Sequence, residues 1–277
     1  MYLLNKFEAL GTALWIEIFQ ELTSESEIKY RDQIIEIIEN FENNYSRFKV
    51  ESAISKLNLE RNLQNPSTEL IDILNLALEY EKKTEGLFDI KIAHILGNLG
   101  YGSQYNFTDD KIPEQIIISK NEIKLIGNFA IDLGGIGKSY LICKISNFLE
   151  KNLKLKYYLI NFGGDIYATS NQGKKIEISL EDPINQENYF ATVSLFNSSV
   201  CCSSPFKRVW KHNDKIKTHI IDKNLNQARF SAYVFGPDVV SCDIYATCLC
   251  LHPNLEINDI NIGYLILDEN SQIIGVK

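Results

Sequence analysis

The sequence predicts an α+β protein, with mixed sheets flanked by helices, in which residues 1–277 form a single domain. Three observations carry this. Stretches with helical spacing of apolar residues and β-rich runs follow one another in irregular order, not as a regular βαβ alternation. No low-complexity tract, internal repeat or Pro/Gly/Ser linker divides the chain. The composition, 45% hydrophobic and 23% charged, suffices to bury one large core or two fused lobes.

Taken in order, residues 7–20 hold a Gly-Thr break followed by a β-rich run. Residues 27–43 place Ile34, Ile35, Ile38 and Phe41 at helical spacing, so a strand followed by an amphipathic helix is expected. A second helix is predicted from about Ser67 to Lys83, where Leu70, Leu74, Ala77 and Leu78 share a face and Lys82, Lys83 and Gly86 supply stop signals. After Gly135, Leu141, Ile145, Phe148 and Leu149 repeat at helical spacing, and residues 157–162 (YYLINF) read as a buried strand. Further strands are expected at 175–180, 190–196, 216–221 and 262–267, with a helix at about 238–251.

A net charge of -8, from 36 acidic and 28 basic residues, argues against a nucleic-acid footprint, which needs clustered Lys and Arg. The six cysteines show no C-x-x-C spacing and read as buried thiols of a reducing compartment. The N-terminal residues show no basic stretch leading into a long apolar run, and no segment offers about 18 uninterrupted apolar residues. The chain therefore reads as cytoplasmic, without direct membrane insertion, although one trimmed of an export signal would read the same way.

Three constellations bear chemistry. In Ile131-Asp-Leu-Gly-Gly-Ile-Gly-Lys138 three glycines lead into a helix, a turn that lets backbone amides approach an anion at a helix N-terminus. Neither the P-loop nor the dinucleotide fingerprint is present, and a plain packing turn remains the alternative. Asp243 and Thr247 lie four apart on a predicted helix and could offer two oxygens to a hard cation, the competing reading being a solvated helix face. His219 stands in His219-Ile-Ile-Asp222 on a predicted strand, as a catalytic or a purely structural hydrogen-bonding group. Asp89, Asp132 and Asp165 each sit near a strand end or turn, without any spacing that makes them converge.

Seven segments follow one another along the chain: Phe7-Glu-Ala-Leu-Gly-Thr12; Tyr45-Ser-Arg-Phe with Ser52 and Leu57-Asn58; Gly86-Leu-Phe-Asp89 with Asn98-Leu-Gly-Tyr-Gly102; Asp132-Leu-Gly-Gly-Ile-Gly-Lys138; Asn161-Phe-Gly-Gly-Asp165; His219-Ile-Ile-Asp222; and Asp243-Ile-Tyr-Ala-Thr247. In that order they resemble the ApbE-type flavin transferase family (FAD:protein FMN transferases). The resemblance implies that FAD binds between lobes with its diphosphate near Asp132 and Lys138, and that Leu10, Phe48, Leu87, Phe88, Asp89 and Ile220 contact the flavin nucleotide. It also implies Mg2+ held by the backbone oxygen of Gly135 and the side chains of Asp243 and Thr247. The implied reaction transfers FMN from FAD to a Ser or Thr hydroxyl of an acceptor protein, among them membrane redox subunits, and releases AMP. Lys138 would neutralise charge and His219 would take the hydroxyl proton or hold the phosphate. Hydrolysis of FAD to FMN and AMP, and flavin binding without turnover, are the alternatives.

Several positions depart from the family pattern. Phe48 stands where Tyr is usual, Lys91-Ile-Ala-His94 replaces T-V-G-P, Ser139 replaces Gly, Cys143 replaces Asp, and Lys223 replaces Pro. Cys201-Cys-Ser-Ser-Pro205 matches only loosely. All of these spare the implied metal ligands and bear on acceptor recognition and rate.

Overall fold

The computed structural model describes residues 2–107, 112–170 and 173–277. Strands β1 (Tyr2–Ala9) and β2 (Thr12–Ile18) form a hairpin. Leu10 and Gly11 make its two-residue turn, with φ of 48° and 73°, the left-handed pair that matches strand twist. Helix α1 (Ser24–Tyr45) begins at Thr23, whose hydroxyl accepts from Ser26 N at 3.2 Å, and it buries Ile34, Ile38, Phe41 and Tyr45 along one stripe. Helix α2 (Ala53–Glu60) is capped by Ser52 and leads into β3 (Asn62–Gln64). Helix α3 (Thr68–Lys83) is capped by Ser67, whose hydroxyl accepts from Leu70 N at 3.1 Å. At its far end Gly86 N returns to Glu81 O at 2.7 Å while Glu85 takes the left-handed position, a Schellman closure.

Next come α4 (Ala93–Asn98), β4 (Gln115–Ile118), β5 (Glu122–Ile126) and α5 (Gly137–Lys151). They are followed by β6 (Tyr158–Phe162), β7 (Asp165–Thr169), β8 (Ile176–Glu181), β9 (Tyr189–Leu195) and β10 (Ser198–Ser203). The chain ends with β11 (Val209–His212), β12 (Lys215–Thr218), β13 (Ser231–Gly236), α6 (Val239–Leu251), β14 (Gly263–Leu267) and β15 (Ile273–Val276). Eight strands form the main sheet in the order β1-β2-β6-β7-β10-β13-β14-β15, and each of these pairings is antiparallel.

Alternate residues of the central strands enter two different cores. Tyr158, Ile160 and Phe162 of β6, Cys201 of β10, Ala232 and Val234 of β13 and Ile266 of β14 join the helices. Leu159, Val200, Tyr233 and Leu267 point the other way, onto Ile176, Leu180 and Leu195 of the β8–β9 hairpin. Both faces are thus covered, which explains the nearly continuous apolar run at 157–162 in an antiparallel strand. Among the described residues no helix is long and apolar enough to cross a membrane. Cys201, Cys242, Cys248 and Cys250 are buried thiols, as expected, whereas Cys143 and Cys202 are partly exposed.

The helices expected at 27–43, 67–83, after Gly135 and at 238–251, and the strands at 157–162, 175–180, 190–196 and 262–267, all form, with small shifts of boundary. The strand expected at 216–221 stops at Thr218. The polar turn behind it takes the chain instead: Asp222 Oδ1 accepts from Asn224 N and Asn226 N at 2.8 and 2.9 Å, so His219 lies off the strand.

One side chain ties this architecture to the glycine turn. Asn58 of α2, 2% exposed, donates from Nδ2 to Ile131 O at 2.9 Å and accepts from Ile131 N at 2.7 Å, acting as a short strand beside the residue that precedes Asp132. Replacing it by Ala leaves two backbone groups buried without partners. Asn58→Ala is expected to lower unfolding free energy by about 2–4 kcal/mol in urea titrations; a loss well under 1 kcal/mol would mean water replaces the side chain.

Candidate active site

The turn of residues 134–136 delivers the chain into α5, whose N-terminus has no side-chain cap. Gly137 N, the first amide, closes back on Leu133 O at 2.7 Å, and the positive end of the helix dipole lies at this terminus. Asp132 sits just before the turn, with Oδ1 accepting from Gly134 N at 2.6 Å and Oδ2 from Arg47 Nε at 2.7 Å. Arg47 is buried and also donates from Nη2 to Tyr101 O at 3.0 Å. Gly102, at φ 93°, leaves the room this requires, since a Cβ there would stand 2.2 Å from Arg47 Nη1. The Phe48 ring, 57% exposed, lies over the guanidinium at 4.3 Å.

Inside the turn, three charged groups meet. Lys138, the second residue of α5, bonds through Nζ to Asp165 Oδ2 and lies 3.8 Å from Asp243 Oδ1. The side chains of Asp165 and Asp243 are only 1% and 4% exposed, against 26% for Lys138. Among the described residues, Asp165 Oδ1 and Asp243 Oδ2 are both buried without a hydrogen-bond partner. One turn on, the Thr247 hydroxyl lies 3.0 Å from Ser203 Oγ. Two carboxylates against one ammonium leave one negative charge and two unsatisfied oxygens, a donor set that fits a hard divalent cation. The solvated helix face considered for Asp243 is excluded by its burial. Among the described residues no cluster of three or more His, Cys, Asp and Glu forms a metal cage, so such an ion would draw the rest of its shell from hydroxyl, backbone, water or phosphate.

His219 borders the same region. Burial first, then the charges of Arg208 and Lys138, push its imidazole down to about 4, against the opposing pull of an Arg208 backbone hydrogen bond and of Asp132. Its Nδ1 is buried without a partner among the described residues. Arg208 donates to Tyr101 Oη at 2.9 Å, and Tyr101 stacks on Trp210 at 5.0 Å, which fixes the β11–β12 hairpin beside His219.

The other residues implied by the resemblance fall into two groups. Leu10 and Phe88 back the glycine turn: Cβ atoms built at Gly137 and Gly135 would lie 3.7 Å from Leu10 Cδ1 and 3.1 Å from Phe88 Cε2. Ile220 is buried next to His219, and Leu87 is half-buried beside Phe88. Asp89 stays apart from the Lys138 cluster. Its Oδ1 takes Lys91 N at 2.8 Å and Lys91 Nζ at 2.9 Å, and Lys91 also reaches Glu81 at 2.6 Å. Burial lowers the Lys91 ammonium, but these two carboxylates outweigh it and its pKa is raised. Lys91 thus forms a buried ion-pair cluster with Asp89 and Glu81. Arg47, Tyr101 and Arg208 received no role from the sequence, although Arg47 stands in the quoted Tyr45-Ser-Arg-Phe segment.

The ApbE family profile matches residues 10–260. The chain is 23% identical over 241 residues to the FAD:protein FMN transferase of Haemophilus influenzae, covering 78% of this chain and 69% of that protein. It is 23% identical over 230 residues to the FAD:protein FMN transferase of Salmonella typhimurium, covering 74% and 65%. It therefore spans about two thirds of the length of these curated relatives. The fold is similar to that of the ApbE protein of Thermotoga maritima, with a TM-score of 0.83 at 17% identity over 97% of this chain and 95% of the other. It is also similar to the flavin transferase ApbE of Vibrio cholerae, with a TM-score of 0.74 at 18% identity over 99% and 95%.

The electrostatics of His219 can be tested directly. The ring is expected to titrate with a midpoint near pH 4 by NMR, instead of near 6.5, and Arg208→Gln should move that midpoint upward by removing a cation. Because the unfolded chain takes up this proton near 6.5 and the folded chain only near 4, folding stability should fall as pH drops through that window.

Proposed function

This chain belongs to the ApbE family, and from that premise we propose that it transfers FMN from FAD to a Ser or Thr hydroxyl of an acceptor protein with the help of Mg2+, releasing AMP. The observation that carries the reading is the pair of buried carboxylates, Asp165 and Asp243, with unsatisfied oxygens beside Lys138 at the open N-terminus of α5. FAD lies with its diphosphate at that helix end, between the glycine turn and the Phe48 and Tyr101 rings. Asp243, Thr247 and the backbone oxygen of Gly135 would hold Mg2+, which would supply positive charge to the diphosphate oxygens.

This chain's own groups divide the remaining work. Lys138 offsets negative charge on the transferring phosphate. Arg47 fixes the Asp132 carboxylate, and through Gly134 N that carboxylate fixes the turn presenting the amides of α5. His219 is neutral at physiological pH, so it is free to accept the proton of the acceptor hydroxyl as the oxygen bonds to the FMN phosphorus and the bond to AMP breaks. Leu10, Leu87, Phe88, Asp89 and Ile220 line the flavin nucleotide. The acceptor is a protein with an exposed Ser or Thr, such as a membrane redox subunit.

Purified protein given FAD, Mg2+ and a candidate acceptor should release AMP while the acceptor gains the mass of FMN. AMP without a mass gain would make the protein a hydrolase, and no AMP under any condition would make it a flavin binder. Asp243→Ala should cut turnover by about 100-fold or more with far-UV circular dichroism unchanged; full activity in that variant would overturn the metal assignment.

A further inference from the structure

Asp165 and Lys138 do more here than face a phosphate. Asp165 opens β7 directly after Gly163 and Gly164, both at positive φ, and Gly164 N is held by Asn161 Oδ1 at 3.0 Å, so the carboxylate is fixed by the sheet and fully buried. Asp243 is fixed in the same way by α6. Lys138 is the one member of the trio with a route to solvent, and it carries a flexible four-carbon stem. It bonds to Asp165 and faces Asp243, yet leaves an oxygen on each without a partner.

We propose that Lys138 is the resident counter-ion of the cation site, and that a divalent ion enters by exchange with it, taking Asp165 as a second carboxylate ligand beside Asp243. The proposal rests on the reading of Asp243 as a cation ligand made above. With Lys138 in place, the charges sum to -1; with a divalent ion in its stead, the two carboxylates are neutralised and the ammonium is released. The released ammonium lies at the N-terminus of α5, where a diphosphate would receive it. Cation entry and nucleotide binding are thereby coupled through one side chain. Until both are present, the lysine keeps two buried carboxylates from standing with their desolvation uncompensated.

The test is Mn2+ binding followed by electron paramagnetic resonance of the free ion, without FAD, on the wild type and on Lys138→Met, Asp165→Asn and Asp243→Asn. Exchange predicts that Lys138→Met binds Mn2+ on the order of tenfold more tightly than wild type, and that Asp165→Asn binds it at least about tenfold more weakly. Unchanged or weaker binding by Lys138→Met would overturn the exchange, and unchanged binding by Asp165→Asn would remove Asp165 from the ligand set. Lys138→Gln, polar and uncharged, serves the same comparison should the Met variant not fold, and melting curves identify that case. The two readings fail differently. No Mn2+ binding by wild type, or binding untouched by Asp243→Asn, defeats the cation site itself; binding lost in Asp243→Asn but not tightened in Lys138→Met defeats the exchange alone.

Discussion

Two buried carboxylates held by one ammonium are the constraint on which the rest of this structure depends. Asp165 and Asp243 come from a strand and a helix far apart in sequence, and Lys138 reaches both from the start of α5. A charge pair of this kind is costly to desolvate, so the fold must hold all three elements in fixed relation or lose the site. The sheet provides that rigidity. Its two faces are packed by separate cores, so β6 and β7 cannot tilt, and the Gly163–Gly164 turn sets Asp165 at the sheet margin. On the other side, Asn58 grips the backbone of Ile131, and Arg47 grips Asp132. The glycine turn is clamped at its entrance while its exit carries Lys138.

Much of the fold was legible because its long elements obey simple periodicities. The helices α1, α3 and α5 announce themselves through apolar spacing, and α1, α3 and α6 begin at a Thr, Ser or Asp cap. What escaped were short pieces: α2, α4, the three-stranded sheet β3-β5-β4, and strands such as β10 and β13. Each is brief enough that tertiary pairing, not local pattern, decides its state. The strand expected through His219 shows the same competition from the other side. Ile220 and Ile221 have strand propensity, but Asp222 closes a turn with its own carboxylate, and the backbone follows that turn.

At the site, sequence reasoning found residues but not their pairings. Asp132 and Asp165 looked equivalent as acidic residues near turns, yet one is matched to Arg47 and the other to Lys138. Arg47 lay within a quoted segment, and its role needed the fold to bring residue 47 to residue 132. Lys91 teaches a related lesson. A departure from the family pattern that bears on acceptor recognition and rate, it also closes an ion-pair cluster with Asp89 and Glu81. Its consequence is local: the Asp89 carboxylate is occupied by this chain's own cation, so any contact of that segment with a nucleotide falls more readily to its backbone and to Leu87.

Asp243 shows how a weak sequence signal becomes strong once packing is known. In the sequence, Asp and Thr four apart on a helix suggest a solvated face as easily as a ligand pair. The helix that carries them, however, buries Val239, Val240, Cys242, Ile244, Ala246, Cys248, Leu249 and Cys250, and its partly exposed residues, Ser241, Tyr245, Thr247 and Leu251, leave Asp243 on the buried side. A lone acid in that setting must be neutralised by what stands beside it. The apolar character of α6, which by composition looked like the least informative feature of the region, is therefore what turns Asp243 from a surface residue into a demand for a cation.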